Sequence, residues 1–110
     1  MTRISDAQRF LADVREEHVF WCSDGQALRN MTELQKALRS MADETFAYHA
    51  NAQRNDFSTW ARDVIKDETL AGDLGKSLNR NQAATKVAAR VGFLASKLVV
   101  KKPAGKRRSR

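Results

Sequence analysis

A chain of 110 residues is enough for one domain and a single modest core. Its hydrophobic fraction of 42% excludes disorder along the whole chain, and no apolar run approaches the ~18–20 residues of a membrane span. The formal charge of +7 hides a division: residues 1–73 hold all thirteen acids against nine bases, whereas residues 74–110 hold eleven bases and no acid.

That split points to a polyanionic partner, as a matter of charge and not of fold. The N-terminal Met1-Thr2-Arg3-Ile4-Ser5 has no apolar signal region, and the single Cys22 forms no internal disulfide. Both place the protein in the cytoplasm, or on a nucleoid, by expectation.

Taken in order, Ser5-Asp6-Ala7-Gln8 has the pattern of a capping box, followed by Ala7, Phe10, Leu11 and Val14 at helical spacing to about Glu16. His18-Val19-Phe20-Trp21-Cys22 is β-branched and aromatic and too short for a helix. Ser23-Asp24-Gly25 reads as a turn in which Gly25 can take positive φ, and Gln26–Arg29 as the return strand of a β-hairpin near residues 18–29. Thr32-Glu33-Leu34-Gln35 reads as a second capping box, opening a helix to about Met41 with Leu34, Ala37, Leu38 and Met41 inward.

Asp43 is expected to cap a short helix over 44–51, and Asn55 or Asp56 another, whose Phe57, Trp60, Ala61 and Val64 form an i, i+3, i+4, i+7 stripe. Asp67 starts a further helix that stops near Gly75. A last helix, capped by Asn79 or Asn81, spans about 82–99 with Ala84, Val87, Val91, Leu94, Ala95 and Leu98 on one face. Beside that face lie Lys86, Arg90, Lys97 and Lys101; opposite it, Ala89, Phe93, Ser96 and Val100 form a weaker apolar strip. The remainder, from Lys102-Pro103-Ala104-Gly105 to the basic Lys106-Arg107-Arg108-Ser109-Arg110, reads as a disordered tail.

The expected fold class is mainly α, a small α+β arrangement. Residues 1–75 form a helical domain with the hairpin, 76–100 a basic amphipathic helix packed on it, and 101–110 the tail.

Phe20-Trp21-Cys22-Ser23-Asp24-Gly25, Glu33-Leu34 with Leu38, and Asp43-Glu44-Thr45-Phe46-Ala47-Tyr48-His49 form a series of blocks. It continues through Asn55-Asp56-Phe57, Trp60, Asp63-Val64 and Asp67 to Leu70-Ala71. Over residues 18–74 this resembles a small, mainly archaeal family of uncharacterised proteins, with Phe-x-Tyr-His and Asn-Asp-Phe-x-x-Trp as its most distinctive blocks. The chain departs from the resemblance at Lys66, where a small residue such as glycine is common in the family. The resemblance implies a domain and transfers no activity; the basic helix and tail lie outside it.

Cys22, Asp24 and His49, with His18, have the residue types of a catalytic or metal site. No nucleophile signature surrounds Cys22, and neither CxxC nor HxxxH spacing occurs, so a structural cysteine in a strand is favoured. Tyr48, His49, Asn55 and Asp56 form a candidate polar pocket for a small ligand or peptide, against the simpler account in which they cap and brace helices. Trp21 and Trp60 read as core anchors rather than a stacking platform.

No Gly-rich phosphate loop or cofactor motif occurs, so neither enzymatic activity nor a cofactor, metal or small-molecule ligand is expected. The basic end is the sharper signal, because eleven bases without an intervening acid repel one another until an anion neutralises them. The expected function is therefore non-catalytic, largely sequence-independent binding of nucleic acid, RNA or DNA. Its contacts fall on Lys86, Arg90, Lys97, Lys101, Lys102, Lys106, Arg107, Arg108 and Arg110. The alternative is a protein-interaction or self-association module, with Phe93 and Val100 pairing in a homodimer and the tail a docking or solubility feature. Attachment of the basic helix to anionic lipid is disfavoured by its alanine-rich inward face.

Overall fold

The computed structural model describes residues 3–98. The fold is mainly α with one small antiparallel hairpin. Among the described residues there are six α-helices: α1 (Ile4–Leu11), α2 (Met31–Ser40), α3 (Asp43–His49), α4 (Asp56–Trp60), α5 (Glu68–Lys76) and α6 (Arg80–Leu98). The strands β1 (Phe20–Trp21) and β2 (Ala27–Leu28) lie between α1 and α2.

The longest helix, α6, packs against α1, α2 and α5. Ala83, Ala84, Val87 and Leu94 are its buried residues, and Val91 packs on the same core from a half-buried position. Fully burying Leu94 contributes about 1.5–3 kcal/mol. Ala95 and Leu98 had been expected on this face but are exposed, because the helix outruns the core beneath it. Of the two candidate caps, Asn79 is the one used: its Oδ1 accepts from Gln82 N at 2.8 Å.

Several other boundaries differ from the sequence pattern, each because a different partner satisfies the chain end. Ser5 lies inside α1, which has no side-chain cap and stops at Leu11 rather than near Glu16. Beyond it Val14 N donates to Arg29 O at 2.7 Å, so the backbone leaves the helix to run beside the hairpin, and Glu16–His18 form one 3₁₀ turn. α2 is capped by Asn30, not Thr32. Asn30 Oδ1 accepts from Glu33 N (2.8 Å) while Glu33 Oε1 accepts from Arg29 N (2.7 Å). This reciprocal pair lies two residues earlier than expected and differs from a capping box in reaching the residue before the cap. Asp43 is the first residue of α3 and caps nothing; its carboxylate faces Arg80.

Asn55 caps α4 by accepting from Ser58 N at 3.0 Å. The expected helix does not run on regularly: a turn of π-helix, Ala61–Ile65, follows α4, burying Ile65 and leaving Val64 only partly covered. It closes at Lys66 with φ of 76°, the left-handed region. Asp67 caps α5 through Leu70 N at 3.1 Å.

The hairpin pairs Phe20 with Leu28 and Trp21 with Ala27, and Gly25 takes φ of 98° in its turn. Strand alternation sends Phe20 inward and Trp21 outward. Phe20 stacks on Phe57 (5.2 Å) and meets Trp60 edge-on (5.7 Å), while Trp60 Nε1 donates to His18 O at 2.8 Å. Trp60 is thus the anchor expected of it. Trp21 is not, being 63% exposed.

Candidate nucleic-acid interface

α6 brings four bases and no acid onto one rigid element, but they divide into two kinds. Arg80 reaches across to α2, donating to Leu38 O (2.8 Å), Arg39 O (3.0 Å) and Asp43 Oδ1 (2.9 Å). It thereby satisfies carbonyls at the end of α2 that no intrahelical donor reaches.

Arg90 is bound more deeply. Its Nε donates to Asp67 Oδ2 at 2.7 Å and its Nη2 to Oδ1 at 3.0 Å, with the carboxylate side chain 1% exposed and the guanidinium side chain 11%. Arg90 had been placed among the phosphate contacts; it is instead the counterion of a buried carboxylate. An anion could recruit it only by leaving that charge unpaired in the core.

Lys86 and Lys97 remain. They sit eleven positions apart, hence within about 20° of each other around the helix and about 16 Å apart along it. Lys86 is exposed and Lys97 partly so, and neither is ion-paired among the described residues. Between them Phe93 is 43% exposed, with Lys97 Nζ 4.9 Å and Arg90 Cζ 5.4 Å from its ring centroid. The adjoining solvent face is built from Thr85, Ala89, Gly92 and Ser96, all exposed and uncharged. The other expected contacts, Lys101, Lys102, Lys106, Arg107, Arg108 and Arg110, lie outside the described residues, as does Val100.

The second cluster, at the hairpin turn, is used for bracing. His49 is 4% exposed. Its Nε2 accepts from Ser23 N at 2.9 Å, which puts the proton on Nδ1, 3.0 Å from Asp56 Oδ2. Phe20 and Phe57 pack around the imidazole at 5.1 and 5.4 Å. Asn55 faces away from this group: its Oδ1 caps α4 and its Nδ2 donates to Leu74 O at 3.1 Å. Tyr48 is 57% exposed, with Arg54 Cζ 4.8 Å from its ring centroid.

So His49 and Asp56 meet and Tyr48 flanks them, while Asn55 belongs to a neighbouring shallow groove. That groove, of about 320 Å³, is lined by Phe46, Ala50, Asn51, Gly75 and Leu78 besides Asn55.

Cys22 is 5% exposed, and burial, followed by the nearby Asp24 charge, pushes its thiol up to about 11. A thiol so protonated at neutral pH is a poor nucleophile. Asp24 is held below the usual carboxylate range, chiefly by the side-chain hydrogen bond from Gln26. Among the described residues no group of three or more His, Cys, Asp or Glu is placed to hold a metal ion, and no helix is long and apolar enough to cross a membrane.

Sequence reasoning missed the pairing of Arg90 with Asp67 and of Arg80 with Asp43. The partners lie 23 and 37 residues apart, and no periodicity links them. The one available hint was that a basic helix with no acid of its own must find any counter-charge on the acidic front half. Compared with known proteins, the chain matches no family model, no curated protein and no solved structure.

Proposed function

We propose that this chain is a non-catalytic, cytoplasmic or nucleoid-associated protein that holds the phosphate backbone of RNA or DNA with little sequence preference. The observation that supports it most directly is α6: a core-anchored helix without an acid, presenting Lys86 and Lys97 along one line. Six more bases follow it in the sequence, Lys101, Lys102, Lys106, Arg107, Arg108 and Arg110, with no acid among them. Arg90 is left out of the contact set, because its charge is already neutralised. Kinship with the mainly archaeal family belongs to the same proposal. In its support, the blocks around Phe20, His49, Asp56, Phe57 and Trp60 meet in one aromatic cluster.

The test is a titration against duplex DNA and structured RNA over a salt series. Six phosphates neutralised by residues 101–110 give a log–log slope near −5 on duplex DNA. Deleting residues 101–110 is expected to weaken binding and flatten the slope while the thermal midpoint holds. Unchanged affinity removes that segment from the interface, and no binding at low salt ends the proposal.

A protein partner on the front half is the second reading, favoured by Trp21 at 63% and Tyr48 at 57% exposed. Large aromatics left in water are common anchors of interfaces.

A further inference from the structure

An exposed phenylalanine on a basic helix has no role in a surface that only neutralises phosphates. Phe93 sits between Lys86 and Lys97, which share its side of α6, and its 43% exposure leaves much of the ring unburied. Gly92 beside it faces open space, with nothing beyond its chain neighbours and the local helix backbone within 4 Å of where a Cβ would be, and Ala89 and Ser96 are small and exposed. On the helix itself the groups that meet the ring are the Arg90 and Lys97 head groups, so a flat group reaches it where Lys97 gives way.

The two cations near the ring differ in mobility. Arg90 is fixed by its double hydrogen bond to Asp67 at 2.7 and 3.0 Å. Lys97, 4.9 Å from the ring centroid, is held there by a cation–π contact at the surface.

We infer that Phe93 is a stacking platform for an unpaired base, and that the preferred ligand is single-stranded nucleic acid. The inference rests on the nucleic-acid function proposed above and narrows its substrate class. A base laid on Phe93 displaces the Lys97 ammonium from the ring and frees it for the adjoining phosphate, with Lys86 about 10 Å along the helix towards its N-terminus to meet another. The exchange is favourable by magnitude: a surface cation–π contact corresponds to a factor of about 2–5 in affinity, base–aromatic stacking to about 5–150. A duplex keeps its bases stacked on one another and offers none to the ring.

A second copy of the chain fits this surface less well. α6 carries no acid, so pairing it with itself brings Lys86 and Lys97 against like charges instead of complementary ones.

The full chain and its Phe93→Ala, Phe93→Leu and Phe93→Trp variants are titrated by fluorescence anisotropy against a labelled 15-nucleotide single strand and its duplex, at one salt concentration. Sedimentation runs in parallel. Phe93→Ala and Phe93→Leu are expected to lose about 5- to 150-fold on the single strand and less than twofold on the duplex, with Phe93→Trp retaining single-strand affinity. Leucine keeps apolar bulk without a stacking face, so its loss cannot be ascribed to a gap in the surface.

Equal losses on both polymers, or no loss on either while duplex binding persists, overturn the inference and leave the wider function standing. Binding to neither polymer overturns both. A dimer that the alanine variant converts to monomer assigns the ring to a second copy and overturns the inference.

Discussion

Replacing Arg90 with methionine distinguishes a structural cation from a phosphate contact. Methionine follows the aliphatic stem of arginine but removes both donors to Asp67, at 2.7 and 3.0 Å. The carboxylate, 1% exposed, keeps only the Leu70 N–H at 3.1 Å. Removing one partner of a buried ion pair costs ~3–5 kcal/mol, because the other charge stays unpaired in low dielectric. In a domain of this size each kcal/mol lowers the thermal midpoint by roughly 4–8 °C, so a fall of at least about 12 °C is expected at pH 7.

Urea unfolding followed by Trp60, which is buried and bonded to His18 O, should give the same order of loss at an unchanged m-value. The double variant Arg90→Met with Asp67→Asn restores much of it, since asparagine still caps α5 and carries no charge. A stability change below about 1 kcal/mol, accompanied by a clear loss of nucleic-acid affinity, would refute the reasoning and return Arg90 to the phosphate surface.

Two further outcomes follow from backbone and thiol chemistry. Lys66→Gly relieves a side chain at φ of 76° and is expected to raise stability by about 0.5–1 kcal/mol after allowance for glycine's greater unfolded freedom; calorimetry showing destabilisation contradicts this. Cys22, with its thiol raised from 9.0 to about 11 in the folded protein, contributes stability in full below pH 9 and loses it as pH rises towards 11. A pH titration of the urea midpoint should therefore fall between pH 9 and 11 and flatten in Cys22→Ala, and thiol labelling at pH 7.5 should be slow until the protein unfolds. Rapid labelling of the folded protein counts against the burial argument.

Much of the architecture was legible because it depends on neighbours in sequence. The i, i+3, i+4 stripe of Phe57, Trp60 and Ala61, the caps at Asn55 and Asp67, and Gly25 in a turn each require only a few adjacent residues. The cap of α2 fell two residues earlier than Thr32, because Asn30 accepts from Glu33 N while Glu33 accepts from Arg29 N. The paired candidates Asn55/Asp56 and Asn79/Asn81 each contained the residue used. Trp21 was misplaced because a two-residue strand offers too little alternation to reveal its inner face.

For the candidate interface, the sequence by itself determined the sign and the segregation of the charge, since both follow from counting residues along the chain. It also determined that Lys86 and Lys97 share one side of a helix, which needs only 3.6-residue periodicity. Which cations stay available to a ligand was decided by tertiary structure alone. Packing of α6 onto α2 and α5 sets Arg80 against Asp43 and Arg90 against Asp67, leaving Lys86, Lys97 and the Phe93 ring towards solvent. Charge is a property of residues; its neutralisation depends on distance, and distance is fixed only when the chain folds.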